Sequence, residues 1–171
     1  DAGKGVRVFV VKGLRIAVVN LCGEVFMHDI TESPFSCMER VLKDVEADLY
    51  LVDLHGEATS EKIAFTYAFS GRAQVVVGTH THVQTADERI VNGTAAISDL
   101  GMCGAYTSVL GRDVKEIVTR FTTEEKTRYT IAEGPGIFCG VIVNIDEQTC
   151  RAHSIERIQI RPEQEERFSL Q

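Results

Sequence analysis

Two stretches decide the fold: Asp48-Leu49-Tyr50-Leu51-Val52-Asp53-Leu54-His55, and further along Ala73-Gln74-Val75-Val76-Val77-Gly78-Thr79-His80-Thr81-His82. Asp48–Asp53 and Ala73–Val77 are short apolar runs bounded by polar residues, the pattern of buried strands. Between them, Glu61 to about Phe69 reads as a helix, with Thr59 or Ser60 as N-cap and Gly71 near its end. Upstream, Val6–Val11 and Arg15–Leu21 read as strands around the turn Lys12-Gly13. Ser33-Pro34 then starts a helix that runs to about Asp44, with Ser33 as N-cap and Pro34 at the first helical position. Downstream, Glu88–Val91 and Thr94–Ser98 flank Asn92-Gly93, a strong hairpin signal. Asp113–Phe121 reads as a short helix. Thr127–Ala132, Gly136–Ile145 and Arg151–Ile160 read as closing antiparallel strands. Strand, helix, strand, helix, strand, then hairpins: this order predicts an α/β layered domain with a mixed sheet.

The chain has 171 residues, enough for one domain with a real core. Hydrophobic residues make up 44% and charged residues 25%, which excludes wholesale disorder. No apolar run is long enough to span a bilayer, so no membrane partner is expected. The net charge of −7 argues against general nucleic-acid binding. A metal ion can still give such a protein local positive charge for a phosphate ester. The cysteines Cys22, Cys37, Cys103, Cys139 and Cys150 are odd in number and form no C-x-x-C pair. They read as small buried hydrophobes in a reducing, cytoplasmic protein.

Three histidines stand at two strand ends. His55 closes the first run, and His80 and His82 close the second. Ligands in α/β sheets gather at the carboxyl ends of strands, so these imidazoles should emerge on one edge of one sheet. In an extended backbone His80 and His82 would point the same way, about 6.6 Å apart. That separation would let each take a different ion of a metal pair, with His55 completing one of them. Gly78 would allow a sharp bend before the ligands. Three neutral imidazoles do not fill two coordination shells, and Asp53, Glu57 and Asp99 are the local acids that could add to them. Asp53 is alternatively a residue that orients an imidazole. Glu57 and Glu61 are alternatively helix N-terminal charges. His28 reads as a loop residue, His153 as an outward strand residue, and Arg72 first as half of a structural ion pair and alternatively as a partner that neutralises a phosphate.

The stretch from Asp53 to Lys62, Gly71-Arg72-Ala73, and the run from Val77 to Asp87 closely resemble one family. It is the YmdB-like metallophosphoesterases, a calcineurin-like branch of bacterial cyclic-nucleotide phosphodiesterases. The resemblance continues through Val18–Leu21, Ile97–Met102, Gly104, Tyr106, Leu110-Gly111 and Ala132-Glu133-Gly134. It implies a layered α/β/β/α metallophosphoesterase sandwich with mixed sheets. It also implies two divalent metal ions, usually iron or manganese, with His55 and His80 on one and His82 on the other. The implied reaction is attack of a metal hydroxide on a small-molecule phosphodiester, 2′,3′-cyclic nucleotides being favoured.

The family's remaining motifs, including a Gly-Asn-His whose His would protonate the leaving group, do not occur here. The chain begins at Asp1 rather than Met. Residues 1–171 are therefore expected to form a single domain that is the C-terminal half of such an enzyme, inactive alone and prone to associate, a homo-oligomer included. A reading from another class is open at this point: an incomplete module that binds a partner or, weakly, a single metal. The glycine-rich loop Asp99–Tyr106 reads as a rim with Tyr106 stacking on a base, or as a tight connection that needs its glycines.

Overall fold

The computed structural model describes residues 3–162; Asp1 and Ala2, the polar opening of the chain, lie outside them. The strands are β1 (Val6–Val11), β2 (Leu14–Cys22), β3 (Leu49–His55), β4 (Val75–Thr79), β5 (Arg89–Val91), β6 (Thr94–Ile97), β7 (Gly104–Ala105), β8 (Gly136–Asp146) and β9 (Arg151–Ile160). The helices are α1 (Pro34–Asp44), α2 (Thr59–Phe69) and α3 (Val114–Thr122). One sheet has the order β1-β2-β3-β4-β6-β5, and a second has β7-β8-β9. Strands β2, β3, β4 and β6 run parallel, and β1 and β5 pair antiparallel at the two edges. The first hairpin turns at Lys12 and Gly13 and the second at Asn92 and Gly93, all four with positive φ, the backbone that matches strand twist.

The large sheet carries helices on one face and the second sheet on part of the other, Phe9 and Val18 of β1 and β2 staying exposed. Alternate residues of its central strands, Ala17, Val19, Leu21, Val52, Leu54 and Val76, meet the two crossover helices. Helix α1 brings Phe35, Met38, Val41 and Leu42, spaced three to four apart on one face. Helix α2 brings Phe65 and Phe69, whose tilted rings have centroids 4.5 Å apart. Burying one such ring stabilises by roughly 1.5–3 kcal/mol. The opposite register, Leu51, Val75, Val77 and Ala95, packs on Val143, Ile145, Ala152 and Ile155 of β8 and β9. The layers are therefore helix, sheet and sheet, the mixed α/β architecture expected from the order of elements. No helix among the described residues is long and apolar enough to cross a membrane.

Three expectations are corrected. Thr127–Ala132 is not a strand. Its backbone groups bond instead to the α3 approach: Asp113 N donates to Thr130 O, Ala132 N to Gly111 O, and Thr130 N to the Glu116 carboxylate. The apolar residues of its alternating pattern, Tyr129 and Ile131, face solvent. The N-cap of α2 is Ala58, without a side-chain bond; Thr59 and Ser60 are already helical, and Glu61 supplies the first-turn negative charge. The cysteines are free but not deeply buried: Cys103 is exposed and the other four are half-buried. Elsewhere Asp113 caps α3, its carboxylate accepting from Glu116 N at 2.9 Å. Arg72 pairs with Glu39, His28 lies in an exposed loop, and His153 faces outward from β9.

Candidate metal centre

Parallel pairing assembles the site. Register places Cys22 beside His55 and His55 beside Thr79, so three strands end on one line. The ladder continues one residue further: Gly23 N donates to His55 O at 2.9 Å, and Gly56 N to Thr79 O at 3.2 Å. Gly78 is required by crowding rather than by a bend. A Cβ there would collide with the Ser98 carbonyl oxygen, and its φ is not positive. The bend comes after it, at His80 (φ 121°) and His82 (φ 66°). Positive φ at such side chains costs on the order of 1–3 kcal/mol each and is concentrated at functional sites.

The imidazoles of His55 and His80 meet edge-on, His80 Nδ1 lying 3.1 Å from His55 Nε2. The other nitrogen of each ring is held. His55 Nδ1 lies 3.1 Å from Thr79 Oγ1, and that hydroxyl donates to Asp53 Oδ1 at 2.7 Å. Asn20 Nδ2 donates to the second Asp53 oxygen at 2.8 Å. Because the Thr79 proton is committed to Asp53, His55 Nδ1 must be the donor to Thr79. His55 Nε2 is then the nitrogen with a free lone pair, and it points into the site. His80 Nε2 lies 3.0 Å from Glu57 Oε2. The two carboxylates thus bracket a histidine pair whose facing nitrogens lie at hydrogen-bond distance.

A buried charge pair holds this arrangement. Lys62 Nζ lies 3.2 Å from Asp99 Oδ2, with both side chains almost wholly buried. Asp99 also accepts from Thr81 N at 2.9 Å and Gly101 N at 2.9 Å, so it fixes the turn between the two histidines. Lys62 donates to Thr79 O at 3.4 Å as well. Glu61, one residue earlier on α2, accepts from Glu24 N and Val25 N and ties down the loop after β2. Burial, and then the Glu61 charge, pushes the thiol of Cys22, the cysteine beside His55, up.

His80 and His82 do not project side by side from an extended strand. With both residues beyond the end of β4 and at positive φ, their backbone is not extended. His82 Nδ1 lies 3.0 Å from Leu110 O. Two imidazoles and a carboxylate suit a borderline divalent transition ion in kind. Among the described residues, however, no three such side chains are disposed to hold one ion. Tyr106 is half-buried, with the Arg161 guanidinium 6.0 Å from its ring centroid, and it does not line the pocket beside His80 and His82. Reading the sequence missed Thr79, Lys62 and Asn20; Thr79 and Asn20 do carry a signal, each being a polar residue next to an apolar run within its strand.

The model of the YmdB-like protein family matches residues 1–158. A curated relative from Bacillus subtilis (strain 168), a 2′,3′-cyclic-nucleotide 2′-phosphodiesterase, is 44% identical over 160 residues, covering 92% of this chain and 61% of its own. A crystal structure of a novel phosphatase from Mycoplasma pneumoniae superposes with a TM-score of 0.86 at 34% identity, over 92% of this chain and 57% of that one. A hypothetical protein from Thermus thermophilus gives 0.85 at 36% identity, over 92% and 62%. The chain spans about three-fifths of the length of the relatives it matches.

Proposed function

The chain belongs to the YmdB-like protein family, and from that premise we propose that it forms part of a metal-dependent phosphodiesterase. Its substrates would be small phosphodiesters, 2′,3′-cyclic nucleotides foremost. The observation that carries this reading is the His55–His80 pair at the carboxyl edge of the large sheet, each ring oriented from behind. His55 and His80 would hold one divalent ion and His82 a second, iron or manganese suiting such donors. The missing ligands and the proton donor would come from chain beyond residues 1–171. Bound there, the ions supply Lewis acidity toward the phosphoryl oxygens and an activated water.

The chain's own residues do the positioning. Asp53 and Thr79 hold His55 in the ligating tautomer, and Glu57 orients His80. Lys62 and Asp99 keep the strained turn in place. We place the reaction in the cytoplasm, where the cysteines would remain thiols.

The test is hydrolysis of 2′,3′-cyclic AMP by the full-length protein that carries this chain. His80→Ala should lower kcat/KM by at least about 100-fold, more than loss of an outer partner costs. Arg72→Ala, which removes an exposed ion pair with Glu39, should leave it unchanged. Wild-type turnover in His80→Ala would overturn the assignment.

A further inference from the structure

A pocket of about 300 Å³ opens beside His80 and His82. Its far wall is made by Arg112, Arg120, Phe121 and Tyr129, from α3 and the segments that flank it. The Arg120 guanidinium lies 4.6 Å from the Tyr129 ring centroid, and that of Arg112 lies 5.5 Å from it. Arg112 also donates to Tyr129 O at 3.3 Å. Among the described residues neither arginine forms an ion pair, and the hydrogen bond to the Tyr129 carbonyl leaves the rest of the Arg112 guanidinium uncommitted. Phe121 is 84% and Tyr129 52% exposed. A tyrosine and a phenylalanine serving the core would be buried, and neither arginine is held by a carboxylate. Here both kinds are left open, together, next to the histidines.

This combination suits one class of ligand. A guanidinium laid on an aromatic ring presents a flat, polarisable, cationic surface on which a nucleobase stacks. Unpaired guanidinium N–H groups are free to meet a phosphate. The volume is at the lower end of the range for small-molecule sites. We propose that this pocket is the nucleotide-binding subsite, with the base stacked on the Arg120–Tyr129 pair beside Phe121 and the phosphate facing His80 and His82. The proposal deepens the phosphodiesterase reading and rests on it for the direction of the phosphate. It moves base recognition from Tyr106 to Tyr129.

Binding, measured without turnover, tests it. The full-length protein is titrated calorimetrically with 3′-AMP and, separately, with inorganic phosphate. The wild type should bind 3′-AMP more tightly than phosphate. Tyr129→Leu or Arg120→Leu should weaken 3′-AMP binding by about 10- to 100-fold, the range that loss of one stacking partner gives. Phosphate binding should not respond to Tyr129→Leu, and Tyr129→Phe should retain the affinity for 3′-AMP. Unchanged 3′-AMP binding in both leucine variants, or no preference for 3′-AMP in the wild type, would overturn the subsite. If the stacking signature is present but 2′,3′-cyclic AMP is not hydrolysed, the phosphodiesterase reading fails and the subsite stands.

Discussion

Between the Asp53 carboxylate and the His55 ring sits a single hydroxyl, that of Thr79, and its removal separates orientation from ligation. Thr79→Val keeps shape and removes the link, so His55 is free to rotate or change tautomer. The expected outcome is a loss of metal affinity of about 10- to 100-fold, the usual cost of an outer-shell partner, read by competition with a chelating dye. Lys62 is the second such residue. Lys62→Ala would leave Asp99 buried and unpaired, and breaking a buried pair in this way costs about 3–5 kcal/mol. Urea unfolding should show that loss as a lower midpoint with an unchanged slope. The histidines were legible in the sequence because they follow strand-like apolar runs. Lys62 was not, because a lysine in the first turns of a helix usually faces water. Only the tertiary structure shows that the α2 face of Glu61, Lys62, Phe65 and Phe69 is polar at the site and apolar in the core.

Where elements meet, closeness decides. Strand β4 and the segment after β6 approach so tightly at Gly78 that a methyl group would collide with the Ser98 backbone. Gly78→Ala should destabilise the protein by about 1–3 kcal/mol or more, measured in denaturant, through forced separation of these elements. The hairpin β5–β6 is anchored by Asp87. Burial pushes its carboxyl up, but hydrogen bonds from the Ser98 and Thr85 hydroxyls and the Ser98 amide, with the Arg89 charge, outweigh this and hold it below its ordinary value. The unfolded chain therefore takes up the proton first. The stabilisation from this group is complete above an ordinary aspartate pKa of about 3.9 and is lost as pH falls through the lower folded value. Thermal melts should show this acid limb flattened in Asp87→Asn. Buried strands and both hairpin turns were legible, since apolar runs and Asn-Gly or Lys-Gly turns declare themselves locally. Thr127–Ala132 was misleading because it alternates like a strand while its hydrogen bonds serve the approach to α3.

At the scale of the whole molecule, two crossover helices and a second sheet sandwich one mixed sheet, and the parallel strands deliver His55, Thr79 and His80 to one edge. That much follows from the order of elements. The path of the chain past β4 does not, since the turn carrying His80 and His82 is held by Asp99 from a distant strand end. The outer edge of β1 is unpaired among the described residues, and Val8 and Val10 are exposed beside it, so the large sheet ends on an apolar strand. The histidine edge of this sheet is proposed to hold catalytic metal. Its most direct test is metal content by plasma mass spectrometry on the full-length protein, purified without chelator, for the wild type and for the double variant His55→Ala, His80→Ala. About two divalent ions per wild-type chain are expected, as a dinuclear site requires, with a clear loss in the variant. A wild-type value near zero, or equal metal in both proteins, would contradict it.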